Sequence, residues 1–317
     1  MLQQRIITAL VLVPLVVLAV FKLPVEYFSF IYAVIILLGA WEWCQLIGIH
    51  ETKSKWLYLL AIILPMLFIF FWTQFLEALQ YLIEAGQQGI YQKAKQEGWS
   101  SISNFMDNLN VTDVRSYSGI LEVLVIPPVI FWVIVMVVIK NSPNGLLQME
   151  LSQRKQSIIG VCIFVAAWMF LSRLRLLYDS EMVMYLLLLI WAADIAAYFV
   201  GKKWGKTKLA PDISPGKTLA GFYGAIGAAL ICAVALCLIY GFPLINSADF
   251  ILLSLLTVLI SIYGDLFFSV AKRRSGIKES GSILPGHGGI LDRIDSLIAA
   301  TPFFYGGVYL IYRMLYE

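Results

Sequence analysis

About nine stretches of this chain, each of roughly 18 or more residues with few charges, lie near 5–22, 26–48, 56–75, 118–139, 157–176, 182–200, 219–241, 250–271 and 297–315. A hydrocarbon core of roughly 30 Å is crossed by about 20 apolar helical residues, so each stretch reads as a span. With 60% hydrophobic and 14% charged residues in 317 and a mean hydropathy of +0.83, a water-soluble domain could not cover itself with polar surface. Barrel strands would alternate apolar and polar residues, whereas Ile6–Val20 and Ile251–Ile262 are almost continuously apolar, so helices are expected. The fold class is an all-α polytopic integral membrane protein with about nine transmembrane helices. Arg5 ahead of an apolar run imitates a signal peptide, but no convincing small-residue cleavage site precedes Lys22 and Pro24, and the run reads as a retained span.

Basic residues mark the cytoplasmic side. Loops after even-numbered spans hold Lys53 and Lys55; Lys140, Arg154 and Lys155; Lys202, Lys203, Lys206, Lys208 and Lys217; and Lys272, Arg273, Arg274, Lys278 and Arg293. Loops after odd-numbered spans hold only Lys22, Lys93, Lys95, Arg115, Arg173 and Arg175. The expected N-terminus is cytoplasmic and the C-terminus external, with loops 201–218 and 272–296 facing the cytoplasm together. A formal net charge of +3 conceals this asymmetry. In the long external segment, Leu76, Leu79, Ile83 and Ile90 fall at helix-like spacing among Glu77, Gln80, Glu84 and Gln87, as in an interfacial helix. Asn110-Val111-Thr112 fits a glycosylation sequon, a pattern too short to weigh much. Cys44, Cys162, Cys232 and Cys237 fall inside spans without metal-ligand spacing and read as small packing residues.

Chemistry concentrates in the two basic loops. In Gly264-Asp265-Leu266-Phe267-Phe268-Ser269, running on to Lys272-Arg273-Arg274, helical periodicity puts Asp265, Ser269 and Lys272 in one stripe. Asp292 and Asp295 form a second carboxylate pair at i, i+3 if the chain enters the ninth span as a helix. A carboxylate at membrane depth needs a partner: Mg2+ suits three hard carboxylates without a Cys or His cluster, and pairing of Asp265 with Lys272 or Arg273 would serve as well. Pro285-Gly286-His287-Gly288-Gly289, between Lys278 and Arg293, offers unobstructed backbone N–H groups to phosphate.

A second cluster joins Asp194, about two turns inside the sixth span with Tyr198 on its face, to Ser214-Pro215-Gly216-Lys217-Thr218. Lys217 and Thr218, where the seventh span begins, are candidates to meet phosphate at a helix N-terminus. Lys203, Lys206 and Lys208 suit anionic lipid head groups. Gly216-Lys217-Thr218 is not a P-loop tail: G-x-x-x-x-G-K-[ST] places its first glycine at Pro211 and needs a preceding strand, which a helical membrane chain is not expected to have.

In order and spacing, Ser269, Lys272, Arg273, Lys278, Pro285 through Gly289, Asp292, Arg293 and Asp295 resemble the signature of the phosphatidate cytidylyltransferase family. Gly264-Asp265-Leu266, the 214–218 segment and Trp41-Glu42-Trp43 are also similar to the family, and the resemblance covers most of the C-terminal half. The family commonly has acidic residues where Ala220 and Phe268 stand here, and Asp at Glu279.

The resemblance implies that CTP and phosphatidate give CDP-diacylglycerol and pyrophosphate with Mg2+. It assigns catalysis to Asp265, Lys272, Asp292 and Asp295, with Asp265, Asp292 and Asp295 holding the metal. Substrate binding falls to Ser214, Lys217, Thr218, Ser269, Arg273, Lys278, His287, Gly288, Gly289 and Arg293. A second, monovalent cation such as K+ and a homodimer accompany this reading, as does a bacterial inner membrane with the site at its cytoplasmic face. Membrane lipid is an expected partner and nucleic acid is not. The division is a three-helix region 1–75, an external interfacial segment 76–117 and a six-helix catalytic region 118–317. An ion-coupled transporter built on Glu42, Asp194 and Asp265 is the alternative from another class; a CTP-dependent enzyme with another lipid acceptor is the nearer one.

Overall fold

Without water in the hydrocarbon, backbone amides of a span must bond within their own helix, and the chain is helical nearly throughout. The computed structural model describes residues 2–107, 113–114, 119–149, 151–283 and 288–316. In chain order the elements are α1 (Leu2–Lys22), α2 (Val25–Leu46), α3 (Thr52–Phe70), α4 (Trp72–Gln96), α5 (Ser100–Asp107), α6 (Ile120–Val123), α7 (Ile126–Asn141), α8 (Pro143–Gln148), α9 (Gln153–Leu177), α10 (Asp179–Trp204), β1 (Lys208–Ala210), β2 (Ser214–Thr218), α11 (Leu219–Tyr240), α12 (Leu244–Arg274) and α13 (Leu291–Tyr316). Among the described residues, eight helices are long and apolar enough to cross a membrane: Val25–Leu46, Thr52–Phe70, Ile120–Asn141, Gln153–Leu177, Asp179–Trp204, Leu219–Tyr240, Leu244–Arg274 and Leu291–Arg313. The first expected span is helical as α1, whose described apolar part is Val11–Lys22. The protein is an all-α, multi-pass membrane protein.

Two compact units divide the chain, Met1–Ile63 with Val125–Glu317, and Leu64–Leu124. Within the smaller unit, the interfacial helix expected around Leu76–Ile90 is α4, while the third span stops at Phe70 rather than near 75. Gln80 ties this unit together, its amide nitrogen donating to Glu84 Oε1 at 2.8 Å and its oxygen accepting from Val114 N at 3.0 Å. The sequon at 110–112 lies outside the described residues.

In the larger unit α2 packs on α9, α9 and α12 on α13, α7 on α12, and α10 on α11. Small residues allow close crossings where lipid tails are as apolar as the side chains. A Cβ on Gly264 would collide with that of Ala299, and one on Gly221 would come within 2.7 Å of the Ala197 carbonyl oxygen. Cys44 and Cys237 are buried, and all four cysteines are free thiols.

Two departures from the expected secondary structure shape the site. The 201–218 loop contains an antiparallel hairpin, with Lys208 opposite Thr218 and Ala210 opposite Ser214. A strand therefore does precede the seventh span, against the expectation that none would, but Gly216-Lys217-Thr218 lies inside β2 itself. Hairpin backbone bonds satisfy each other locally, so a short ribbon needs no helix. The last span begins at Leu291 rather than near 297, and Asp292 and Asp295 share its first two turns.

α12 has 31 residues, about 46 Å at 1.5 Å per residue, longer than the hydrocarbon is thick. Its basic last turn, Lys272, Arg273 and Arg274, complements the helix dipole.

Gly264→Leu should destabilise the protein by about 1–3 kcal/mol through overpacking, seen as a lower melting temperature in detergent. Gly227→Ala, whose Cβ meets nothing within 4 Å, should leave it unchanged or slightly raised.

Candidate active site

The site grows from the end of α12. Gly276 adopts φ +73°, Ile277 N donates to Lys272 O at 3.0 Å and Gly276 N to Arg273 O at 3.1 Å. These paired bonds form a Schellman turn, which only a left-handed residue permits at low cost. The chain turns back sharply there toward the start of α13.

Asp265 is paired with Lys217, whose Nζ lies 2.6 Å from Oδ2 and also donates to the Ile262 carbonyl at 3.3 Å. Ser269 Oγ donates to Asp265 Oδ1 at 3.3 Å. The alternative partners named from sequence are engaged elsewhere. Seven residues advance a helix by about 10.5 Å, and Lys272 reaches Asp292 Oδ1 at 2.6 Å. Arg273 Nε donates to Ile213 O at 3.0 Å and docks the hairpin against α12. The hairpin thus delivers Lys217 to Asp265.

Asp292 Oδ2 accepts from Ser280 N at 2.9 Å and Gly289 N at 3.2 Å. Gly288, with φ +82°, would bring a Cβ to 3.2 Å from that same oxygen and 3.5 Å from Glu279. Asp295 is buried, accepts from Ser296 N at 2.7 Å, and feels the like charge of Asp265 and the opposite charges of Lys272 and Lys217. The structure brings Lys217, Asp265, Ser269, Lys272, Gly288, Gly289, Asp292 and Asp295 into one region.

Thr218 has a structural part as well: its Oγ1 accepts from Gly221 N at 3.1 Å and caps α11. Ser214 begins β2, and Lys278 and Arg293 are exposed. His287 lies outside the described residues, as do Leu284, Pro285 and Gly286.

Two carboxylates left out of the sequence-based site set belong beside it. Asp194 interacts electrostatically with Lys217, Asp265 and Arg293; its signal was a charge inside a span. Glu42, 2% exposed, accepts from Ser280 Oγ at 2.8 Å, Ile290 N at 3.1 Å and Leu291 N at 2.8 Å. Its signal was likewise a charge within an apolar stretch, but its partners lie more than 230 residues away in sequence. The acidic residue commonly found at position 268 is replaced by a packed ring. Phe268 is 1% exposed and lies 5.7 Å from Trp43 and 6.4 Å from Trp132, centroid to centroid.

Among the described residues, no group of three or more His, Cys, Asp or Glu side chains forms a ready metal cage. Asp265, Asp292 and Asp295 are hard oxygen donors of the type Mg2+ takes, and that ion commonly completes its shell with water and substrate phosphates rather than with protein alone.

The fold and site define a multi-pass membrane protein with paired lysines and aspartates where two of its helices end and begin. The chain belongs to the cytidylyltransferase family, whose sequence profile matches residues 3–311. It is 32% identical over 314 residues to the phosphatidate cytidylyltransferase of Haemophilus influenzae, covering 96% of this chain and 97% of that one. Identity to the phosphatidate cytidylyltransferase of Pseudomonas aeruginosa is 33% over 305 residues, 96% of both chains. A Bacillus subtilis protein of the same name is 46% identical over 131 residues, 40% of this chain and 47% of its own.

Lys272→Met should cost about 3 kcal/mol, the low end for orphaning one partner of a buried ion pair, because this pair is only partly buried and two amides still hold Asp292. Lys272→Met with Asp292→Asn should recover much of that loss in detergent melts. Additive losses in the double variant would show that the pair is not coupled.

Proposed function

We propose that the protein transfers the cytidylyl group of CTP to phosphatidate, giving CDP-diacylglycerol and pyrophosphate. The observation that carries this reading is the joining of Lys217–Asp265 and Lys272–Asp292 beside the glycine turn at Gly288-Gly289. Ammonium groups and carboxylates in one place suit two phosphate-bearing substrates. The names of the relatives from Haemophilus influenzae and Pseudomonas aeruginosa support the same reaction. A transporter would need charge along a route across the whole bilayer, whereas these pairs gather where α12 ends and α13 begins.

An oxygen of the phosphatidate monoester attacks the α-phosphorus of CTP. The new P–O bond forms as the bond to the bridging oxygen breaks, and pyrophosphate departs with that electron pair. The second pKa of a phosphate monoester is about 6, so the nucleophile is already ionised near neutrality and needs no strong general base. The protein's task is to hold two anions together. Lys217 and Lys272 can exchange their carboxylates for phosphoryl oxygens, while Arg273, Lys278 and Arg293 add positive charge around the triphosphate. Asp265, Asp292 and Asp295 would hold Mg2+, which when bound neutralises phosphoryl charge and aligns the reacting oxygens.

A monovalent cation such as K+ beside Mg2+ and assembly as a homodimer belong to this same proposal. So does the placement: nine spans counting α1, the N-terminus cytoplasmic, the C-terminus external, and the site at the cytoplasmic face of a bacterial inner membrane. The excess of lysine and arginine in the 201–218 and 272–296 loops supports that orientation.

Purified protein in mixed micelles with labelled CTP, phosphatidate and Mg2+ should form labelled CDP-diacylglycerol, and chelator should stop it. Folded protein that binds CTP but makes no such product would overturn the assignment of the acceptor. Asp292→Asn should lower turnover by at least about 100-fold, the scale for losing one charge-stabilising group, while the protein remains folded in detergent. An active Asp292→Asn enzyme would remove Asp292 from the chemistry.

A further inference from the structure

We propose that Glu42 is a positioning residue for the turn that leads into α13, holding the backbone from Gly289 to Leu291 and, with it, Asp292 in place without touching substrate. Its carboxylate comes from α2, far from the signature in sequence, and is almost wholly buried. An ionised carboxylate is retained in such a place only when its oxygens are well bonded. Here Oε2 accepts from Ser280 Oγ and Leu291 N, and Oε1 from Ile290 N. The two amides belong to the start of α13, where helix N–H groups lack partners of their own and a negative charge is favoured.

Glu42 and Asp292 grip the same two strips of chain from different positions. Glu42 takes the Ser280 hydroxyl and the amides of Ile290 and Leu291, while Asp292 takes the amides of Ser280 and Gly289. The glycines record this closeness: a Cβ on Gly281 or on Gly289 would run into the Glu42 carboxylate. Gly289 is therefore required by an internal contact as well as by access for a ligand. Once Glu42 is altered, Asp292 and Gly288 lose the frame that fixes them to α2.

Gln is the informative replacement. It keeps the volume but turns one acceptor oxygen into an NH2 group, which must face a donor because both amides can only donate. Ser280→Ala removes a single donor and leaves both amide bonds, so its effect should be under about threefold.

The kinetic arm of the test rests on the proposed reaction, and amide hydrogen exchange supplies an arm that does not. In Glu42→Gln, the amides of Ile290 and Leu291 should exchange at least tenfold faster. Per folded molecule, kcat/KM for CTP should fall at least tenfold, and Ser280→Ala should fall far less. Unchanged exchange would overturn the inference. So would faster exchange with kcat/KM within twofold of wild type, which would make Glu42 a stabilising contact only. If wild type itself fails to transfer to phosphatidate, the proposed reaction falls, and unchanged exchange in Glu42→Gln would still overturn the hold of Glu42 on the turn.

Discussion

A carboxylate on an otherwise apolar helix needs a partner, and this requirement organises the C-terminal spans. Asp265 sits on a long helix whose own lysine is two turns away. Its need is met by Lys217, which arrives on a hairpin docked to the same helix through Arg273 and Ile213. Lys272 is then available to Asp292 on α13. The two ion pairs therefore connect β2, α12 and α13, and neither helix could shift far without uncovering a charge. Breaking such pairs is expensive even where forming them adds little net stability.

The start of α13 depends on a related constraint. Helix N-terminal amides need acceptors, and those of Ile290 and Leu291 find them in Glu42. This explains why the last helix begins six residues earlier than hydropathy suggests: polar residues are admitted because their backbone is capped from α2. The early start puts Asp292 and Asp295 on a rigid element, at defined distances from Lys272 and Asp265. Phe268 shows the opposite solution. In place of an acidic residue it contributes a ring to the cluster with Trp43, Trp132 and Phe267, so that position serves packing here. Nothing in the structure explains Ala220.

Much of this was legible in the sequence. Apolar runs located eight of the nine expected spans, with ends up to six residues away, because the length of a span is set by the bilayer rather than by its neighbours. The i, i+3 spacing of Asp292 and Asp295, and the motif from Ser269 to Asp295, point in the sequence to residues that the fold brings together. The partner of Asp265 was not legible: local spacing pointed to Lys272 or Arg273, and the hairpin that carries Lys217 was read as a loop. Three short residues of β1 give too little pattern to announce a strand.

Sequence by itself determined that the chain crosses a membrane as helices, which of its ends gather basic charge, and which residue types could handle phosphate. These follow from local chemistry, since hydrophobicity, helical period and glycine content act over a few residues. The tertiary structure alone decided which lysine neutralises which aspartate, that Thr218 is a cap, and that Glu42 holds a turn more than 230 residues downstream. Those outcomes depend on distances across packed helices, and the strength and direction of a hydrogen bond or ion pair are set by such distances rather than by position along the chain.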